Sequence, residues 1–194
     1  MQISEKEKML KGLGYYTTDP ELENDRKRAK TLCFEYNSLS PDKTEERLNI
    51  IKQLFGKTKD GILIESNFFC DYGYNIETGE RFYANHNCVM LDCNKITFGD
   101  YVMVGPNCGF YTALHPLDSE TRISLLEYAK PITVGNRVWF GGNVTVLPGV
   151  TIGDDTVIGA GSVVTKDIPS GVLAVGNPCK VLRKISPDDK NKYN

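Results

Sequence analysis

Residues 134–169 divide into sixes: VGNRVW, FGGNVT, VLPGVT, IGDDTV, IGAGSV and VTKDIP. The first position of each six is Val134, Phe140, Val146, Ile152, Ile158 and Val164, apolar throughout. Glycine takes the second position in four of the six, at Gly135, Gly141, Gly153 and Gly159. The fifth position holds Val138, Val144, Val150, Thr156, Ser162 and Ile168, all small or β-branched. A period of six is neither the helical repeat nor simple strand alternation. It suits short strands joined by tight turns around a triangular prism, with the first-position side chain on the axis and glycine allowing the bend. Each coil buries its face only against its neighbours, so many must stack into a solenoid. An ordinary β-sandwich with chance spacing would not keep glycine in phase over six consecutive units.

The same phase runs back through Phe98-Gly99, Val104-Gly105 and Phe110, and through Thr78-Gly79, Ala84 and Met90. The step from Met90 to Phe98 is eight residues, which implies a two-residue bulge near Asp92-Cys93. Phe110 and Val134 are twenty-four residues apart, four sixes, so the phase survives an interruption, LHPLDSETRISLLEYAKP, at 114–131. A segment of that length without a repeat phase is often functional, and it should project from the prism.

Ahead of the solenoid the chain reads as helical. Ser4-Glu-Lys-Glu7 has the form of a capping box, and Gly12 and Gly14 would stop the short helix it opens. Asp19-Pro20 is an N-cap followed by proline at the first helical position, after which Leu22, Ala29, Leu32, Cys33 and Tyr36 keep roughly helical spacing. Ser40-Pro41 repeats that start signal, and Leu48, Ile51 and Phe55 form an apolar stripe that Gly56 ends. Helices this short cannot make a core alone and should dock on the solenoid. The expected organisation is a helical segment at 1–58, a solenoid at 59–186 carrying the 114–131 loop, and a tail at 187–194.

A chain of 194 residues, 25% charged and 40% hydrophobic, has an ordinary globular balance and is long enough to bury a core. A net charge of −2 argues against nucleic acid as a partner. No run approaches the roughly 20 apolar residues needed to cross a bilayer. The opening MQISEKEKMLKG lacks the apolar stretch of a secretory signal. The cysteines, Cys33, Cys70, Cys88, Cys93, Cys108 and Cys179, lie at irregular spacings without any CxxC and read as buried thiols rather than a disulfide frame or zinc site. The expected setting is the cytoplasm.

The repeat resembles the left-handed parallel β-helix of the hexapeptide-repeat acyltransferases. The left hand is implied by that resemblance, since ordinary parallel crossovers are right-handed. Within the superfamily, RKRAKTLCFEYN, CDYGYNI, FYANHNCVMLD, YTALHP, KPITVGNRVWFGG, GAGSVVTKDIP and GNPCKVLRKI resemble the maltose/galactoside O-acetyltransferases. These stretches run from about residue 5 to residue 186. The resemblance implies acetyl transfer from acetyl-CoA to a sugar hydroxyl, without a metal, in a homotrimer whose active sites lie between subunits. Asp71 and Cys93, where some relatives carry serine and a second acid, place the chain nearer the maltose type.

His115 is the implied base. A neutral imidazole is available as a base near pH 7, and an alcohol is a poor nucleophile until its proton leaves. In the family resembled, the histidine of the T-A-x-H-P motif removes that proton as the hydroxyl attacks the thioester, so no cysteine need act as nucleophile. His86, in ANHNC, should point outward as a wall residue. Two histidines also exclude the carbonic anhydrases built on this solenoid, which need three for zinc. Glu127 would orient His115 or contact the acceptor, and Arg26, Asp71, Asn85, Asp92 and Cys93 would bind the sugar. Asp19 stands near the acceptor acid of some relatives, although an N-cap role explains it equally. For coenzyme A, Gly142 and Ala160 offer backbone groups at close approach, while Thr165, Lys166, Lys180 and Arg183 suit its phosphates. The lysine at 180 keeps the charge of the arginine common in relatives but loses its two-pronged geometry. Trp139 would either stack on a ligand or cover the prism face. Two other readings stand beside sugar O-acetylation: the same chemistry on an amino sugar, amino acid or antibiotic, and a catalytically silent scaffold.

Overall fold

The computed structural model describes residues 3–191, so positions 192–194 of the expected tail lie outside the described residues. The chain winds as a left-handed parallel β-helix of triangular section. The first face holds Leu63–Ile64, Tyr83–Ala84, Met103–Val104, Trp139–Phe140, Val157–Ile158 and Val172–Val175, closed by the antiparallel strand Lys180–Lys184. The second face stacks Phe69–Cys70, Val89–Leu91, Gly109–Tyr111, Thr145–Val146 and Val163–Val164. The third stacks Ile76–Glu77, Ile96–Phe98, Ile132–Val134 and Thr151–Ile152.

Each strand of the hexapeptide region pairs an outward residue with an inward first-position one, and all six first-position residues are buried. The fifth-position residues, including Thr156 and Ser162, are buried as well. An aromatic ladder fills part of the axis: ring centroids step 4.8 Å from Phe82 to Phe98, 5.0 Å to Phe110 and 5.2 Å to Phe140.

The glycines act differently from the expectation. A Cβ on Gly99 would lie 2.7 Å from the Gly135 carbonyl carbon, and one on Gly105 2.7 Å from that of Gly141. Second-position glycine is therefore required by the approach of the next coil. The bend itself falls two residues later, at positive-φ positions such as Arg137, Asn143, Asp155 and Gly161. At one corner these residues are Asn67, Asn87, Asn107 and Asn143, a residue type that tolerates the left-handed region. Their amides form a ladder, with Asn67 donating to Asn87 and Asn87 to Asn107, each at 3.0 Å.

The amino-terminal segment begins with helix α1 (Glu5–Leu10), whose Ser4–Glu7 capping box is formed. Helix α2 (Pro20–Ser38) starts with the Asp19 carboxylate accepting from the backbone of Glu21 and Leu22. Helix α3 spans Thr44–Leu54, with Lys43 at its N-cap and no side-chain cap. Ser40-Pro41 does not open it as expected. These residues begin a turn in which Lys43 N donates to Ser40 O at 3.0 Å, a use for which Ser-Pro is equally suited.

Arg47, 7% exposed, joins α3 to the first coil. Its guanidinium donates to the Tyr36 and Ile64 carbonyls, the Tyr36 hydroxyl and the Ser66 hydroxyl, and lies 4.2 Å over the Tyr36 ring. Arg47→Ala strands several acceptors at once and should cost about 2–4 kcal/mol, read from the urea midpoint.

Candidate active site

Every departure from the six-residue step falls at the corner between the second and third faces. Pairing partners lie twenty residues apart in the early coils, as in Cys70 with Met90, and eighteen apart later, as in Val146 with Val164. Each early coil carries two extra residues at this corner. One insertion is the expected bulge at Asp92-Cys93. The other, around Asp71–Asn75, lies one coil earlier, and the eight-residue step from Cys70 to Thr78 is the signal that would have shown it. The long loop leaves from the same corner one coil later, so three irregular segments are stacked.

Asp92 organises the first insertion. Its carboxylate accepts from the backbone N–H groups of Asp71 at 3.0 Å, Tyr72 at 2.8 Å and Asn75 at 3.3 Å. Burial pushes this carboxyl up to about 8, against the pull of those N–H groups. Fully buried and committed to backbone, Asp92 shapes the wall and does not face the cavity as a sugar ligand would.

The loop builds a small sheet of its own. Ala113–Leu114 and Leu126–Ala129 pair antiparallel, and Tyr15–Tyr16 adds to the other edge with Tyr15 opposite Glu127. One step beyond Leu114, which faces Tyr128, comes His115. Its Nε2 lies 3.2 Å from Glu127 Oε1, while Glu127 Oε2 accepts the Tyr15 hydroxyl at 2.6 Å. The His115 side chain is 55% exposed and that of Glu127 15%. A carboxylate this close to Nε2 favours a ring proton on that nitrogen, which would leave the Nδ1 lone pair free. Asn94 fixes the assembly from below: its amide donates to the carbonyls of Met9 and Ala129 at 3.1 and 3.4 Å.

Beside this pair lies a polar cavity of about 200 Å³, lined by Thr17, Arg26, Asp71, Tyr72, Cys93 and Glu127. Arg26 donates to the Tyr72 hydroxyl at 2.7 Å and to the Thr17 carbonyl at 2.5 Å. The Cys93 thiol donates to Asp71 Oδ2 at 3.5 Å. Burial raises the Asp71 carboxyl above its ordinary value, and the Cys93 contact offsets part of that rise. Four of the residues expected to bind the acceptor, Arg26, Asp71, Cys93 and Glu127, thus share one cavity. Thr17 and Tyr72 join them without having been read from the sequence.

Asn85 does not line this cavity. It lies at the corner between the first and second faces, where its Oδ1 accepts from His86 N at 2.7 Å, and His86 is exposed there. Gly142 and Ala160 occupy the same corner, linked by the Gly161 N–H donating to the Gly142 carbonyl at 2.9 Å. Thr165 and Lys166 are exposed at the corner of the cavity, beyond the coils that form it. Lys180 and Arg183 lie on the closing antiparallel strand. Both prongs of Arg183 are taken by the Asp189 carboxylate, at 2.7 and 2.8 Å. Trp139 is 51% exposed on the first face. All six cysteines are buried and unbridged. Among the described residues, no group of three or more His, Cys, Asp or Glu could hold a metal ion, and no helix is long and apolar enough to cross a membrane.

Residues 8–59 match the maltose acetyltransferase hexapeptide capping motif, and residues 131–166 match six repeats of the bacterial transferase hexapeptide. The chain is 44% identical to a galactoside O-acetyltransferase of Escherichia coli K12, over 89% of this chain and 85% of that one. It resembles the crystal structure of a maltose O-acetyltransferase from Clostridium difficile 630, with 51% identity and a TM-score of 0.93 over 95% and 98% of the two chains. A galactoside acetyltransferase in complex with coenzyme A gives 40% identity and a TM-score of 0.95, over 100% and 96%. With a capped hexapeptide solenoid matched along nearly its whole length, the chain belongs to the maltose/galactoside O-acetyltransferase family of hexapeptide-repeat acetyltransferases.

Proposed function

We propose that this protein transfers an acetyl group from acetyl-CoA directly to a hydroxyl of a sugar, with His115 as general base. The observation that carries the reading is the His115–Glu127 pair at the rim of a cavity lined by Arg26, Asp71 and Cys93. A base alone would serve many acceptors. The cavity adds a guanidinium and a carboxyl within one small polar space, which suits the several hydroxyls of a sugar.

In this mechanism His115 Nδ1 takes the hydroxyl proton as the oxygen attacks the acetyl carbonyl. The C–O bond forms, the C–S bond breaks, and the leaving sulfur receives the proton, giving the ester and free coenzyme A. Glu127 stabilises the imidazolium that forms between the two proton transfers.

The donor is placed at the other corner. Small residues at Gly142 and Ala160 leave backbone groups accessible to an extended chain, and the galactoside acetyltransferase relative in complex with coenzyme A supports coenzyme A as the donor's carrier. A whole face separates that corner from His115 within one chain, as it separates Asn85 from Arg26. The reading is therefore a homotrimer in which a neighbour's corner completes the cavity. Exposed apolar residues support such packing: Leu117 at 95% and Ile123 at 77% on the loop, and Leu63, Met103 and Trp139 in one column on the first face.

An acceptor screen with acetyl-CoA, monitoring thiol release, tests the function; no turnover with any sugar would overturn it. Lys166→Ala should raise the KM for acetyl-CoA about tenfold while leaving that for the sugar unchanged. An equal change in both KM values would count against the donor assignment.

A further inference from the structure

The hydrogen bond between Tyr15 and Glu127 crosses from the amino-terminal segment to the loop, between residues 112 positions apart. We infer that Tyr15 is a positioning residue for acetyl transfer, acting through Glu127 on the tautomer and orientation of His115. The inference rests on the proposed role of His115 as base.

The geometry is a cross-strand triple. Glu127 lies on the central strand of the three-stranded sheet, with Tyr15 directly opposite on one edge and His115 one step past the paired residues on the other. Facing side chains in such a sheet meet directly. Among the described residues, Tyr15 and His115 are the two side chains set against the Glu127 carboxylate, Tyr15 hydrogen-bonded to Oε2 and His115 Nε2 within 3.2 Å of Oε1. With one oxygen held by the phenol, the carboxylate is restrained and its other oxygen is kept beside Nε2.

Tyr15 is itself immobilised. It is fully buried in a cluster with Met9, Leu22, Tyr72, Cys93 and Ala129. The strand carrying it is anchored by Asp19 N donating to Tyr16 O at 3.3 Å and Tyr16 N donating to Glu5 Oε2 at 2.7 Å. Burial, together with the neighbouring Cys93 and Glu127, raises the phenol well above its ordinary range, so it remains a donor at every working pH. A permanent donor on Oε2 keeps Glu127 an acceptor toward His115. The two cap helices and the short strand between them therefore contribute to the base of their own chain, besides covering the end of the solenoid.

Three measurements decide the point. Nitrogen-15 NMR of the unmodified protein should show His115 as the Nε2–H tautomer, with exposed His86 as an internal reference; an Nδ1–H ring at 115 would overturn the inference. Tyr15→Phe keeps the buried ring and removes the donor. It should lower kcat about tenfold with the KM for acetyl-CoA unchanged, and mix the His115 tautomers. Because the Tyr15 hydroxyl acts on the base through Glu127, the double variant Tyr15→Phe, Glu127→Gln should be no slower than Glu127→Gln alone. Additive losses, or a Tyr15→Phe variant with unchanged kcat and tautomer, would overturn it. Absence of any acetyl transfer by the unmodified protein would defeat the proposed function, while the tautomer measurement would still decide whether Tyr15 orders the ring.

Discussion

Replacing His115 with alanine should lower kcat for acetyl transfer at least about a hundredfold, because in the proposed mechanism the acceptor hydroxyl then has no positioned base. The loss should appear in kcat and kcat/KM alike, since the proton moves only in the transition state. The fold should be unaffected. The His115 side chain is more than half exposed, and Glu127 keeps its hydrogen bond to Tyr15 when the imidazole is gone. The unfolding free energy from urea titration should therefore change by no more than about 0.5 kcal/mol, as expected for a surface change. A His115→Ala protein that retains near-full activity would remove the base from the mechanism. Glu127→Gln separates two contributions. It keeps an oxygen for Tyr15 but removes the charge facing the imidazolium, so it should fall between His115→Ala and the unmodified protein.

The solenoid was legible because its core is periodic in the chain itself. First- and fifth-position residues repeat every six positions and are buried wherever they recur, so a local pattern reports a global axis. Helix starts with a side-chain cap were equally readable at Ser4 and Asp19. The start at Thr44 was not, because Ser-Pro opens turns as readily as helices and the true N-cap makes no side-chain bond. The site divides along the same line. Arg26, Asp71 and Cys93 were read through motifs that resemble a family and Glu127 through its place in the interrupting loop, and the four meet in one cavity. Tyr15 and Tyr72 were missed because they reach this corner through contacts between distant segments, which leave no local periodicity. The breaks in period were the usable signal. Two insertions and one loop at a single corner mark where the prism stops being only a core and presents polar side chains. Asn85, Gly142 and Ala160 could not be placed relative to His115 from the sequence, because no motif states which corner of the prism it occupies.

Phe110→Ala should be strongly destabilising, costing about 3–5 kcal/mol. Phe110 is fully buried and touches Phe98 and Phe140 edge to face, at 5.0 and 5.2 Å. Its loss combines transfer of a large apolar side chain to a cavity with the removal of two aromatic contacts, each worth about 0.5–1.5 kcal/mol beyond area burial. The position magnifies the effect. Phe110 pairs with Met90 in the coil before the loop and with Val146 in the coil after it. A solenoid is stabilised through contacts between neighbouring coils, so weakening this one uncouples the capped coils from the hexapeptide coils. Urea unfolding should show a lower midpoint, and a second transition where the unmodified protein shows one. Phe34→Ala is the control: at 72% exposure its loss should stay within about 0.5 kcal/mol. Phe110→Leu, which refills most of the axis but restores neither ring contact, should recover roughly half of the loss. A Phe110→Ala protein as stable as the Phe34→Ala control would mean that the aromatic ladder does not couple the two ends of the prism.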